Sequence, residues 1–356
     1  MSRSTTFALT LATLLATNDA FASTWQMCGS TRTKWGSNSV TMRASSVGFP
    51  VGSWRTALDE TRTRFNGSPS KMRYYVQWDD TSVAMGNGQS EVWWSSGFGA
   101  PAVCYTWWNT GTCQFVEADI LFDNTVAYTT STTKTALWPY GGASRPFRTT
   151  AMHEIGHAQG LGHTSDRYSI MGQDWDHIHA NGSTATAYPG GDAIAGSVTT
   201  YGLVAGALED LGVAHWRRTG ASGAYSIHDR TRVLNSSGTE LAKFTSGGEP
   251  VYQVNKGQTV RLEMTYENMG KTSPITTNVA YYVSTNSTIS SGDTFLGNGS
   301  VTLNRGTATT SNTYLVIPSN LTSGTTYYLG VIIDSSGSSS EYAEANNATY
   351  TAIRVN

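Results

Sequence analysis

The sequence is poor in charge. Asp, Glu, Lys and Arg together make up 13% of its 356 residues, and the formal net charge is −2. No basic stripe runs through it, which argues against a nucleic-acid partner. Beyond the N-terminus no apolar run approaches the ~20 residues that span a bilayer, so no stable membrane insertion is expected. Cysteine is rare, at three residues, and the count is odd. What is abundant is Gly, Ser, Thr, Asn and aromatic residues. The 11 Trp and 18 Tyr bury large areas each, so a core is available although hydrophobic residues reach only 38%. The composition is β-rich and turn-rich, without a charged-helical or disordered signature. The length suits two domains of ordinary size.

The first residues carry Arg3, an apolar run from Phe7 to Ala16, and Ala20-Phe21-Ala22. A basic start, a short apolar stretch and a small-x-small site are the marks of a signal peptide, here 1–22, cleaved after Ala22. The mature chain is therefore expected to be secreted, where disulfides persist. Residues 23–33 form a short polar segment, a pro-segment by one reading.

From Lys34 the pattern becomes regular. SVTMR (39–43), MRYYVQWDD (72–80), EVWWSS (91–96), VCYTWWN (103–109) and QFVEADILFDN (114–124) read as strands. GSWRTALDETRTRFN (52–66) has helical spacing at Trp54, Leu58, Thr61 and Phe65, with Ser53 placed to cap it. RPFRTTAMHEIGHAQGLG (145–162) predicts a helix that ends at Gly160 and Gly162. A loop rich in Gly, Asp, His and Tyr follows, and 197–213 predicts a second helix. Near Arg217 the texture shifts through the Gly/Ser joint TGASGA to alternating strands that break at Gly, Asn, Pro or Ser. The expected domains are 34–219, α+β, and 220–356, an all-β sandwich.

The chemistry concentrates in HEIGHAQGLGH (153–163). On a helix, His153 and His157 lie nearly in line about 6 Å apart along the axis and can share one ion. Zinc accepts imidazole nitrogen at about 2.0–2.1 Å, and catalytic sites use three protein ligands and an open position. Gly160 permits the sharp turn that brings His163 round as third ligand. Glu154, beside the first ligand, is placed to act as general base toward water attacking a carbonyl carbon. Met171 follows in SIM (169–171).

HEIGHAQGLGHTSDRYSIM resembles the metzincin clan of zinc peptidases, and the step from His163 to Met171 looks like its matrixin branch. The resemblance implies that His153, His157 and His163 bind one catalytic zinc, that Glu154 is the base, and that Met171 forms the turn beneath the metal. It implies a metzincin-like α+β fold: a twisted mixed sheet, the active-site helix and a C-terminal helix. EADILFD falls where that family's edge strand bounds the substrate cleft, on which a peptide adds as a strand. The Tyr that some metzincins place two residues after the Met is here Gln173, so no Tyr ligand is carried over. The family's structural zinc and calcium loops are not recognisable. Asp79, Asp80, Glu117, Asp119 and Asp123 could hold calcium, although solvated turn carboxylates are the commoner case. His177 and His179 face the same way if extended. A plain loop role, a place in the specificity-pocket wall and a second metal site all stay open for them. His215 and His228 receive no role.

Cys104 and Cys113 flank YTWWNTGT and could bridge a hairpin. Cys28, in MCGS, then has two readings. By resemblance to matrixin zymogens it is a latch on the open zinc position. Alternatively it pairs with Cys104 or Cys113 and staples the N-terminus to the sheet, the preferred reading because exported cysteines usually pair.

The segment from about 250 to 356 resembles the CARDB-type adhesion modules of bacteria and archaea, in YYVSTNSTISSGDTFLG, VIPSNLTSGTTYYLGVIIDSSG and EYAEANN. The resemblance implies an immunoglobulin-like sandwich of about seven strands and a bacterial source. It also implies a role in holding a surface, a glycan or a protein substrate near the catalytic unit. Tyr281, Tyr282, Tyr327 and Tyr328 are expected mainly in its core. Together these readings point to a secreted, monomeric zinc endopeptidase whose partner is a protein or peptide, such as an extracellular matrix or surface protein. The rival is an adhesin with a non-catalytic metal domain. Glu154 speaks against it, since a retired enzyme has no need of a base beside three ligands.

Overall fold

The computed structural model describes residues 23–356, so the expected signal peptide at 1–22 lies outside the described residues. The N-terminal unit is built on a mixed six-stranded sheet. Arg73–Asp80, Ser39–Ser45, Glu91–Ser95 and Gln114–Asp123 run parallel in that order, with the short Lys34–Trp35 parallel to the start of Gln114–Asp123. Ala102–Asn109 closes the sheet antiparallel to Gln114–Asp123. Three helices complete the unit: α1 (Ser53–Gly67), α2 (Phe147–Ala158) and α3 (Gly190–Tyr201).

Two local expectations change. EADILFD is an interior strand, buried from Glu117 to Asp123 and paired on both sides, and the cleft edge is Ala102–Asn109. An alternating run read alone could not reveal the second neighbour, whereas continuous burial is the mark of a strand covered on both faces. No side chain caps α1; Ser53 is its first residue, and Gly52 occupies the cap.

The buried face of α1 is Ala57, Leu58, Thr61 and Phe65. It packs with the sheet, α2 and α3 into one core that includes Met42, Phe49, Tyr74, Phe122, Phe147, Ile155 and Met171. The rings of Trp54, Trp94, Phe122, Tyr128 and Phe147 meet edge-on, tilted or stacked at 4.8–6.5 Å, so aromatic area substitutes for the scarce aliphatics.

The expected helix at 197–213 is displaced. α3 begins at Gly190 and stops at Gly202, whose φ of +84° is left-handed. The Leu-Gly-Val-Ala run that follows becomes strand Leu211–Ala214, paired antiparallel with Thr259–Asn268. Its partner lies some fifty residues downstream, out of reach of local propensity.

The C-terminal unit is a sandwich of a six-stranded and a four-stranded sheet. The larger contains Ile275–Ser284, Thr326–Ile333 and Ala348–Val355; the smaller is centred on Thr259–Asn268. Val251, Tyr252, Leu262, Tyr281, Leu329 and Ile353 belong to the core between them. The expected boundary at 219/220 does not hold. Leu211–Ala214 already belongs to the sandwich, and residues 219 and 220 lie inside a hairpin, Trp216–Ser222 and Tyr225–Arg230. A Gly/Ser joint is a tight turn here as readily as a linker.

Candidate active site

α2 is buried on nearly every side, with Phe147, Ala151, Met152 and Ile155 in the core. Its cleft-side residues His153 and His157 bring their Nε2 atoms to 3.0 Å, and His163 brings its own to 3.1 Å from that of His157. The backbone makes this possible at three points. Gly160 has φ +98°, and a Cβ there would lie 2.8 Å from the Thr33 carbonyl oxygen. Gly162 N–H donates to Thr24 O and Gln26 N–H to Gly160 O, both at 2.9 Å, so the N-terminal segment braces the turn that carries His163. Gly156, on α2 between the first two histidines, leaves room for the sulfur of Met171, which a Cβ would overlap.

The Met171 turn also sets a tautomer. Ile170 O accepts from His153 Nδ1 at 2.7 Å, and Leu161 O accepts from His157 Nδ1 at 2.8 Å. Each Nδ1 therefore carries a proton, and each Nε2 of that pair presents a lone pair toward the other. Burial lowers all three imidazole pKa values, that of His163 to about 4. Three neutral nitrogens converging in this way fit a tetrahedral cation, whose ligand atoms stand about 3.4 Å apart for zinc. These three histidines are also the group whose ligand atoms lie within 4.8 Å of one another.

Beside them is a cleft of about 420 Å³, lined by Ala100–Ala102 of the edge, by His153 and Glu154, by Gly172–Trp175, and by the hairpin. Glu154 is 5% exposed and its Oε2 has no partner. Burial pushes its carboxyl up to about 8, with Asp174 adding to the rise and Arg145 opposing it. Arg145 and Asp174 are themselves paired, and Thr150 Oγ1 bridges them, so the floor of the cleft is polar but balanced.

The cysteines pair differently from the hairpin expectation. Cys28 is bonded to Cys113 and Cys104 is free. In the strand register Cys104 faces Ile120, and Cys113 sits in the turn, so a Cys104–Cys113 bridge is out of reach. The bridge also takes the Cys28 thiol away from a latch on the histidines; it staples the N-terminal segment to the sheet.

The remaining candidates are elsewhere. His177 and His179 are buried outside the cleft, facing Glu267 of the sandwich at 3.7 and 3.4 Å. Of the carboxylates considered for calcium, Asp79 is exposed and the other four are buried. Glu117 accepts from Gly86, Asn87 and Gly88 N–H at 2.7–3.0 Å, Asp123 from Thr125, and Asp80 and Asp119 are buried, each with an unpartnered oxygen. Sequence reading missed Gly156, the Arg145–Asp174 pair and Tyr225. Only Gly156 carried a local signal, a small residue inside HEIGH.

A family model described as Matrixin matches residues 109–186, a stretch that includes α2, the three histidines and the Met171 turn. The chain is matrixin-like over that stretch. Among solved structures, a CARDB domain of a Pyrococcus furiosus protein, crystallised in complex with two metal ions, is 15% identical. The match covers 42% of this chain and 90% of that one, with a TM-score of 0.26. The solution structure of the same domain is 16% identical, covering 42% and 95%, with a TM-score of 0.25. No curated protein sequence matches the chain.

Proposed function

We propose that the chain is a secreted zinc-dependent endopeptidase with a metzincin-type catalytic unit. The observation that carries this reading is the convergence of three neutral imidazoles beside an unpartnered carboxylate, in a cleft bounded by a sheet edge. His153, His157 and His163 would hold the zinc. The ion supplies Lewis acidity, lowering the proton affinity of water and polarising a carbonyl. Glu154 takes the proton from water and returns it to the leaving amine. Ala102–Asn109 offers backbone groups to an extended peptide, which binds as an added strand. Secretion is supported by the N-terminal sequence pattern and agrees with the Cys28–Cys113 bond. The sandwich would position a surface or protein substrate near the cleft.

Casein cleavage by the mature protein, beside Glu154→Ala, with zinc measured on both, tests this. The expected result is about one zinc in each and a loss of about 10²–10⁴-fold in cleavage for the variant. Zinc in both proteins with no cleavage by either would favour an adhesin instead.

A further inference from the structure

The hairpin Trp216–Arg230 lies beyond the matrixin-like stretch, yet it lines the cleft. Its second strand alternates cleanly. Ser226 and His228 are 1% and 6% exposed, while Tyr225 and Ile227 are 46% and 40% exposed. In a strand, such alternation separates two faces. The buried face is docked on the loops that carry the site. Ser226 N–H donates to Thr164 O at 3.0 Å, and Arg218 Nε donates to Ser165 O at 2.8 Å, both just after His163. Ser226 Oγ meets His228 Nε2 at 2.8 Å, and His228 Nδ1 meets Asp176 Oδ1 at 2.9 Å, just after the Met171 turn. This chain of hydrogen bonds fixes the other face over the cleft. There the Tyr225 ring lies 4.1 Å, centroid to centroid, from the His163 ring.

We infer that this hairpin is the roof of the peptide cleft, and that Tyr225 is a positioning residue that presses an extended, uncharged peptide segment toward the edge strand Ala102–Asn109. The substrate class rests on the peptidase reading. Two exposed apolar side chains above a cleft gain by covering a ligand, and an aromatic ring fixed from behind does so at low entropic cost. Ala100–Ala102, which also line the cleft, are small and apolar. Arg145 and Asp174 neutralise one another in the floor, so neither is free to select a charged side chain. Tyr225 thus shapes binding, and the proton transfers are left to Glu154.

The test is binding and turnover of one fluorescein-labelled decapeptide of casein sequence, uncharged along its length. Glu154→Ala should bind it without cutting. Adding Tyr225→Ala should weaken binding about tenfold, equivalent to roughly 1.4 kcal/mol. In the active protein Tyr225→Ala should raise KM by a similar factor with little change in kcat and unchanged zinc content. Tyr225→Phe should behave as the parent, and Ile227→Ala should show a smaller loss of the same kind. Unchanged binding and KM in Tyr225→Ala overturns the inference. So does a fall in kcat with Tyr225→Phe, which would make the hydroxyl a catalytic group. If the Glu154→Ala protein binds through Tyr225 but the parent never cuts, the roof stands and the peptidase reading fails. If the parent cuts and Tyr225→Ala is indifferent, the reverse holds.

Discussion

The chain has seven histidines, and two groups of them meet opposite fates. His153, His157 and His163 turn their Nε2 atoms on one another. His177, His179 and His228 each turn a nitrogen toward a buried carboxylate, Glu267 for the first two and Asp176 for the third. Both groups are removed from water, and what differs is the facing group. Backbone carbonyls take the protons of His153 and His157 and leave lone pairs pointing inward, an arrangement that a cation completes. A carboxylate facing an imidazole instead gives it a local polar partner, and the two imidazoles hold the Glu267 carboxyl well below its usual range despite burial. Identical side chains thus become a candidate metal site or a domain joint according to the partner the fold supplies.

The largest effect should come from removing a member of the first group. His157→Ala should reduce zinc content to background by elemental analysis and abolish casein cleavage, because two imidazoles no longer enclose the ion. Glu267→Gln should do the reverse. It keeps zinc at the parent level and costs about 1–3 kcal/mol in chemical denaturation, since it disturbs the buried polar contact that faces His177 and His179 across the two units. Loss of zinc in Glu267→Gln would show that the two groups are not independent.

A pH-dependent effect concerns Asp119, a buried carboxyl with no imidazole opposite. Burial, then the neighbouring Glu117, raises it to about 8. Its folded pKa lies above the unfolded value, so folding takes up a proton, and stability is lost as pH rises from about 4 to about 8. Asp119→Asn does not titrate. Its melting temperature relative to the parent should climb through that window and level off above it. A constant difference would mean that a bound cation already neutralises the carboxylate.

The legible parts of this protein were the local ones. Helical spacing gave α1 its buried face at Leu58, Thr61 and Phe65, and the strands of the first sheet followed from alternation. His153, Glu154, His157, Gly160 and His163 were recognisable because a helix and one sharp turn suffice to bring them together. Reading failed where the partner was distant. Leu211–Ala214 looked like the end of a helix until Thr259–Asn268 supplied a ladder for it. Cys113 looked like a mate for Cys104 until the register put Ile120 opposite that cysteine and Cys28 beside the turn.

By itself the sequence determined that three histidines with an adjacent carboxylate converge as a candidate metal site, because those residues lie within a span governed by helix geometry and glycine freedom. Tertiary structure alone decided which strand is the cleft edge and that a hairpin past the matched stretch roofs the cleft. It also decided that His177 and His179 serve a joint between units. Each of these depends on which surfaces are left unpaired after long-range packing, and no local window contains that information.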